Sequence, residues 1–228
     1  IKTPLTSIIG YAELLKNHDC DKELQEQALD YILEEGKRLN SITRKMIKLS
    51  RIQPGLLNIE RQDVKKMLET SLMAVRMKAG QKQIHFTSDI PEGIFCYGDR
   101  EFLITMMENV LDNAIKASHE GGVIEVRAAG EGGALAYIQV TDHGIGIPAD
   151  ILDKIDQPFY KGDKAHSQGE DGFGMGLAIC KSVMQHHHGS LKYESAEGVY
   201  TTVTMGFPAG DYLRLESPDQ TDQIKPDT

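Results

Sequence analysis

The chain has 228 residues, 40% of them hydrophobic, and carries 25 lysines and arginines against 34 aspartates and glutamates, a formal net charge of −9. That length holds one large domain or two modest ones with a real core. The charge excludes anion binding through a global positive field, so nucleic acid is not an expected partner.

The elements follow in chain order. In "PLTSIIGYAELLKN", Leu5, Ile8, Ile9, Ala12 and Leu15 recur at helical spacing, and Pro4 stands where a first turn tolerates it or a longer helix would bend. After the polar "NHDCD" loop, Leu29, Ile32, Gly36, Leu39, Ile42, Met46 and Leu49 predict a longer second helix, ending at Gln53-Pro54-Gly55. A two-helix hairpin cannot bury its own apolar stripe, and pairing with a second copy as a four-helix bundle is the economical solution. A homodimer is therefore expected; packing of both stripes on the following domain is the alternative.

Beyond Pro54 a helix is expected over about 62 to 79, then short β runs "IHFTSDI" and "IFCYG", a helix "DREFLITMMENVLDNAIKAS", and strands "VIEVRAA" and "LAYIQVTD". A glycine-rich charged stretch from 161 to 174 leads into the helix "GLAICKSVMQHHH" and the strands "SLKYES" and "VYTTVTMGF". This mixture without βαβ alternation predicts an α+β fold, helices layered on one face of a mixed sheet. The expected domains are a helical hairpin over 1–53, a linker over 54–57, an α+β domain over 58–209 and a poorly ordered tail over 210–228. Cys20, Cys96 and Cys180 are widely spaced, form no CxxC pair and read as buried, reduced thiols in a reducing compartment. No run approaches the ~18 apolar residues of a membrane span and no signal peptide precedes the first helix, so no membrane contact is expected within this chain.

Three stretches carry chemistry. In "ENVLDNAIKAS", Asn109, Asn113 and Lys116 fall at intervals of four and three, so two amides and an ammonium share one helix face that could hold a metal and a phosphate chain. An ordinary solvated face is the competing account. In "GEDGFGMGLAICK", glycines run into a helix and could present free N–H groups to an anion. A dinucleotide fingerprint is excluded because no buried strand precedes it, and a P-loop because no Gly-Lys-Ser/Thr closes it. Lys161 and Lys164 in the preceding loop suit a cation-bearing flap, or plain surface lysines. In "TDHGIGIP", Asp142 at a strand end could accept a hydrogen bond from an exocyclic amine such as adenine's, with glycines letting the base lie on the backbone. The "HHH" run at 186–188 cannot converge on one ion, since consecutive helical residues diverge by about 100°. A helix C-terminus closing at Gly189, with cationic or capping histidine, is expected instead.

Asn109…Asn113, Asp142-x-Gly144-x-Gly146, Pro158-Phe159-Tyr160 and Gly172-x-Gly174-x-Gly176-Leu177 together resemble, in order and spacing, the four nucleotide boxes of sensor histidine kinases. The resemblance covers roughly residues 1 to 208. It implies a dimeric hairpin followed by an α/β sandwich of the Bergerat type, binding ATP and Mg²⁺ under a lid. It implies Asn109 and Asn113 as metal-side residues, Lys116 as a phosphate contact and Asp142 as adenine reader, with Gly144 and Gly146 shaping the pocket. Tyr160, in the Pro-Phe-Tyr box, is implied as an ATP contact, Lys161 and Lys164 fall in the lid, Gly172, Gly174, Gly176 and Leu177 at the triphosphate turn, and Glu108 at an acidic position beside the amide face.

"IKTPLTSIIGYAELL" is similar to the latter part of the family's His-Glu-x-x-Thr/Asn-Pro box. The acceptor histidine would precede Ile1, so the chain reads as a fragment of a longer protein, and none of its eight histidines takes that place. Thr3 matches the position that orients water for dephosphorylating the response regulator. The implied activity is transfer of the γ-phosphoryl to histidine, then to a response-regulator aspartate, in the cytoplasmic part of a parent that membrane segments could anchor. The alternatives are a gyrase- or Hsp90-like ATPase switch, which by the same resemblance would carry glutamate where Asn109 stands, and a non-catalytic dimerisation module.

Overall fold

The computed structural model describes residues 2–18, 20–53, 55–131, 134–160 and 174–208. Helix α1 (Lys2–Asn17) and helix α2 (Lys22–Arg51) form the hairpin. Asp21 caps α2 by accepting from the Leu24 N–H at 2.8 Å, and Tyr11 stacks on Tyr31 with ring centroids 4.9 Å apart. Only Ala28 and Ile42 of α2 are buried. Leu5, Ile9, Leu29 and Leu33 stay between 45% and 57% exposed, so helical spacing has built an apolar stripe that the hairpin leaves uncovered. The end of α2 belongs to the next layer, because Ile52 is buried in the same core as the following helices and the Lys48 ammonium donates to Thr105 Oγ1 at 3.2 Å.

The remainder is a seven-stranded mixed sheet with helices α3 (Val64–Gln81), α4 (Arg100–Ala117) and α5 (Gly176–His186) on one face. Strand β5 (Ala134–Asp142) is central. It pairs antiparallel with β4 (Val123–Glu131) on one edge and β7 (Tyr200–Gly206) on the other, where its first residue also meets β3 (Phe95–Gly98). Strand β2 (His85–Asp89) runs parallel to β4, and β6 (Ser190–Ala196) closes a hairpin with β7.

Strand β1 (Glu60–Asp63) pairs antiparallel with β3. Sequence reasoning placed residues 62 and 63 in the next helix instead. "ERQD" has no β-forming side chain, and only pairing across to β3 makes it a strand; Asp63 then caps α3 through the Lys66 N–H at 3.1 Å. Helix α4 lies at the centre of the helical layer, with Leu103, Met106, Met107, Val110 and Leu111 all at most 1% exposed. Among the described residues no helix is long and apolar enough to cross a membrane.

The histidine run takes the capping role expected of it, not the cationic one: α5 ends at His186, and the Gly189 N–H closes the last turn on the Met184 carbonyl at 2.8 Å. His187 is fully buried, donates from Nδ1 to the Val183 carbonyl at 2.7 Å and accepts the Asp99 N–H on Nε2 at 3.0 Å. Burial pulls its pKa down, so it is a neutral link between α5 and the start of α4 rather than a cation. The left-handed residue after α5 is His188 (φ 54°), not Gly189. Gly189 is required for space, since a Cβ there would sit 2.3 Å from Met184 Cε and 2.7 Å from the Gly206 carbonyl. Cys96 and Cys180 are buried free thiols, pushed up to about 12 by that burial, and Cys20 is a half-buried one.

Candidate functional site

The period of two along β5 turns Ile138, Val140 and Asp142 toward the helical layer. Their partners on β7, Met205, Val203 and Thr201, are buried with them. The first pairs serve the core. The last, Asp142 with Thr201, falls where the helical layer opens into a cleft of about 970 Å³. Asp142 is 4% exposed, and the Gly144 N–H, at 3.1 Å from Oδ1, is its one hydrogen-bond donor among the described residues. Burial raises its pKa to about 6 against the downward pull of that hydrogen bond and of neighbouring His143, so at neutral pH it is a desolvated carboxylate. Such a group wants a donor.

The glycines after it are also required by the packing of the backbone itself. A Cβ on Gly144 would lie 2.0 Å from the Ala117 carbonyl, and one on Gly146 (φ +59°) 2.2 Å from that of Ala196. They let the loop press between the end of α4 and the β6–β7 turn. Ile145 donates to the Ala117 carbonyl at 3.0 Å, Gly198 to that of Ile145 at 2.8 Å, and Ile147 to Ser195 Oγ at 2.8 Å. Gly146 lines the cleft; Gly144 supports it from behind.

Along α4 the cleft is lined by Asn109, Asp112, Asn113 and Lys116, one face at helical spacing. Asp112 is the member that sequence reasoning overlooked, although its position three residues from Asn109 and four from Lys116 was the available signal. Its carboxylate receives Lys116 at 2.7 Å and also Lys78 of α3. Burial pushes the Asp112 carboxyl up, but the hydrogen bonds and charges of the two lysines prevail and hold it below the ordinary carboxylate range.

Asn109 donates from Nδ2 to the Thr105 carbonyl at 2.7 Å, which leaves Oδ1 turned toward Gly176, where a Cβ would come within 3.0 Å of it. Gly176 and Leu177 begin α5 with no side-chain cap among the described residues, and this end of the helix, positive by its dipole, lines the cleft. A neutral amide oxygen opposite an anion-binding helix end fits Mg²⁺ shared with a phosphate chain. Tyr160 and Gly174 also line the cleft; Gly174 (φ +62°) lies so close that a Cβ would sit 2.1 Å from the Tyr160 carbonyl.

The cleft thus gathers Asn109, Asn113, Lys116, Asp142, Gly146, Tyr160, Gly174, Gly176 and Leu177. Glu108 is half-buried on α4 and does not line it. Lys161, Lys164 and Gly172, and the side chain of Thr3, lie outside the described residues. Sequence reasoning also missed Thr201 and Tyr193, since nothing in a β-hairpin's own pattern says that its neighbour is a cleft.

Residues 98–211 match the family model of histidine kinase-, DNA gyrase B- and HSP90-like ATPases, and residues 1–55 that of the His Kinase A (phospho-acceptor) domain. The chain is 32% identical over 224 residues to the sensor-like histidine kinase SenX3 of Mycobacterium tuberculosis, covering 96% of its own length and 54% of that relative's. It spans about half of the full-length relative. Among solved structures, the Acinetobacter baumannii histidine kinase AdeS superposes with a TM-score of 0.66 at 20% identity, over 90% of this chain and 96% of that one. Histidine kinase ThkA, in complex with response regulator protein TrrA, gives 0.67 at 22% identity over 91% and 58%. At those identities the likeness is one of fold. Fold and cleft define the ATPase class shared by histidine kinases, DNA gyrase B and HSP90. Within that class the chain belongs to the sensor histidine kinase family.

Proposed function

We propose that this chain is the dimerising and ATP-binding core of a sensor histidine kinase. It binds MgATP and passes the γ-phosphoryl to a histidine on the helical hairpin, from which a response-regulator aspartate receives it. The observation that carries the reading is the convergence, in one cleft, of the buried Asp142 carboxylate with the amide face of α4 and the N-terminal end of α5. Eight residues of α4, about 12 Å of helix, separate Asn109 beside α5 from Ala117 beside the Asp142 loop. That spread suits a base at one end and a phosphate chain at the other.

In this reading Asp142 accepts the exocyclic amine of adenine, and Gly146 and Ile147 flank the base. Asn109 and Asn113 hold Mg²⁺, which when bound neutralises charge on the phosphates. Lys116, oriented by Asp112, and the N–H groups opening α5 meet the phosphate oxygens. Phosphoryl transfer requires positioning and charge stabilisation more than covalent chemistry from the protein. The uncovered stripe of Leu5, Ile9, Leu29 and Leu33 pairs with a second copy. Presenting the nucleotide to the hairpin requires rotation of the sheet domain near residues 53–57, which separates Lys48 from Thr105. Thr3 orients water for dephosphorylating the regulator, and the whole works as the cytoplasmic part of its parent.

The test uses a longer chain that carries the residues before Ile1. With MgATP it should acquire acid-labile, base-stable phosphate, and Asn109→Ala should abolish both that label and the magnesium dependence of nucleotide binding. A wild type that binds no MgATP would overturn the proposal.

A further inference from the structure

A helix ends with four carbonyl groups that have no partner within it, and the end of α4 lies against the loop that follows Asp142. Every one of these oxygens is accounted for. The Ala114 carbonyl accepts from the Ser118 N–H at 3.0 Å and from Ser118 Oγ at 2.8 Å, and the Ala117 carbonyl accepts from Ile145 at 3.0 Å. The carbonyls of Ile115, Lys116 and, just past the helix, Ser118 all accept from one ammonium, Lys82 Nζ, at 3.2, 2.8 and 3.4 Å.

Lys82 is held from its own side too. It is the C-cap of α3, its N–H bonded to the Ala79 carbonyl, and its carbonyl accepts from Gly121 at 2.9 Å. Among the described residues the half-buried ammonium has no carboxylate within ion-pair distance, so its charge is answered by the negative end of α4. The side chain also lines the cleft.

We propose that Lys82 is a positioning residue for nucleotide binding: by gathering the terminal carbonyls of α4 it fixes the turn Ala117–Ser118 on which Gly144 and Ile145 rest, and so sets the Asp142 loop at the height the base requires. The inference rests on the nucleotide reading of the cleft. Tolerance there is small, because a Cβ on Gly144 would already lie 2.0 Å from the Ala117 carbonyl, and an unpinned helix end would carry the loop with it. Asn109 acts on the phosphate side, toward which the Lys116 ammonium is drawn back by Asp112, whereas Lys82 acts from beneath the base side. Its loss should therefore weaken MgADP and MgATP by the same factor.

The experiment compares wild type, Lys82→Met, which keeps the apolar stem, and Lys82→Arg, which keeps charge and donors. Calorimetric titration with MgADP and MgATP is run well below each melting temperature, with amide hydrogen exchange read on the nucleotide-free protein. Lys82→Met should lose about tenfold or more in affinity for both nucleotides, with Lys82→Arg recovering most of it. The Ile145 amide should exchange faster in Lys82→Met while the β6–β7 amides keep their protection. Unchanged affinity, a loss confined to MgATP, or an Ile145 amide as protected as in wild type would each overturn the proposal. Should Lys82→Met not fold, Lys82→Gln, with donors but no charge, takes the same test. A wild type that binds neither nucleotide instead removes the reading on which the inference stands, and so the two failures are distinguishable.

Discussion

Replacing Asp142 with asparagine should make the ligand-free protein more stable and the nucleotide complex weaker. Burial holds the Asp142 carboxyl at about 6 in the fold against an ordinary 3.8. Because the folded value is the higher one, ionisation opposes folding; the penalty is fully present above pH 6 and is relieved as pH falls from 6 toward 3.8. A displacement of that size corresponds to at most about 3 kcal/mol, and solvent at the cleft mouth reduces it to about 1–2 kcal/mol.

Asparagine keeps the Oδ1 that accepts the Gly144 N–H and removes the charge. Asp142→Asn should accordingly melt about 2–8 °C higher at pH 7.5, with the gain fading at pH 5. It also exchanges a charged acceptor for a neutral one and, in the proposed nucleotide pose, places an amide donor near the exocyclic amine, so MgADP affinity should fall about 10–150-fold. In wild type the ionised fraction drops from about nine-tenths at pH 7 to one-tenth at pH 5. Affinity measured relative to Asp142→Asn, which cancels titration of the phosphates, should decline about tenfold over that range. Thermal melts without nucleotide and displacement titrations across pH 5–8 make the comparison. A variant less stable than wild type at pH 7.5, or one that binds nucleotide equally well, would refute the reasoning.

The remaining predictions concern the scaffold. Gly146→Ala combines a left-handed φ of +59° with a Cβ 2.2 Å from the Ala196 carbonyl, and should cost about 1–3 kcal/mol or more together with nucleotide affinity. Gly198→Ala, with a φ of +75° but nothing within 4 Å of its Cβ, should cost only about 1–2 kcal/mol and spare binding; equal effects in urea melts and titrations would contradict the packing argument. For His187, burial depresses the folded pKa below the ordinary 6.5. The unfolded chain therefore takes up the proton first, and stability should fall as pH drops below 6.5. His187→Gln should be less stable by about 1–3 kcal/mol at pH 7.5 yet show a flatter pH dependence between 7.5 and 5.5, which denaturant melts would read directly.

Much of this protein is legible along the chain because its signals are local. Helical spacing marks α1, α2 and α4, period-two alternation marks β4 and β5, and the same arithmetic puts Asn109, Asn113 and Lys116 on one face and Asp142 at a strand end. Asp112 could have been read the same way, its spacing being equally explicit.

What tertiary structure alone decided involves contacts between distant segments. "ERQD" becomes a strand because β3 supplies its hydrogen bonds; Gly144 and Gly146 are required by the carbonyls of Ala117 and Ala196, not by a ligand alone. His187 is neutral because it is buried against Asp99, 88 residues earlier, and Lys82 caps a helix that ends 35 residues later. Periodicity is a property of a single element and survives in one dimension. Desolvation, hydrogen-bond satisfaction at helix ends and close backbone approach depend on which elements become neighbours, and that is decided by the burial of the whole core.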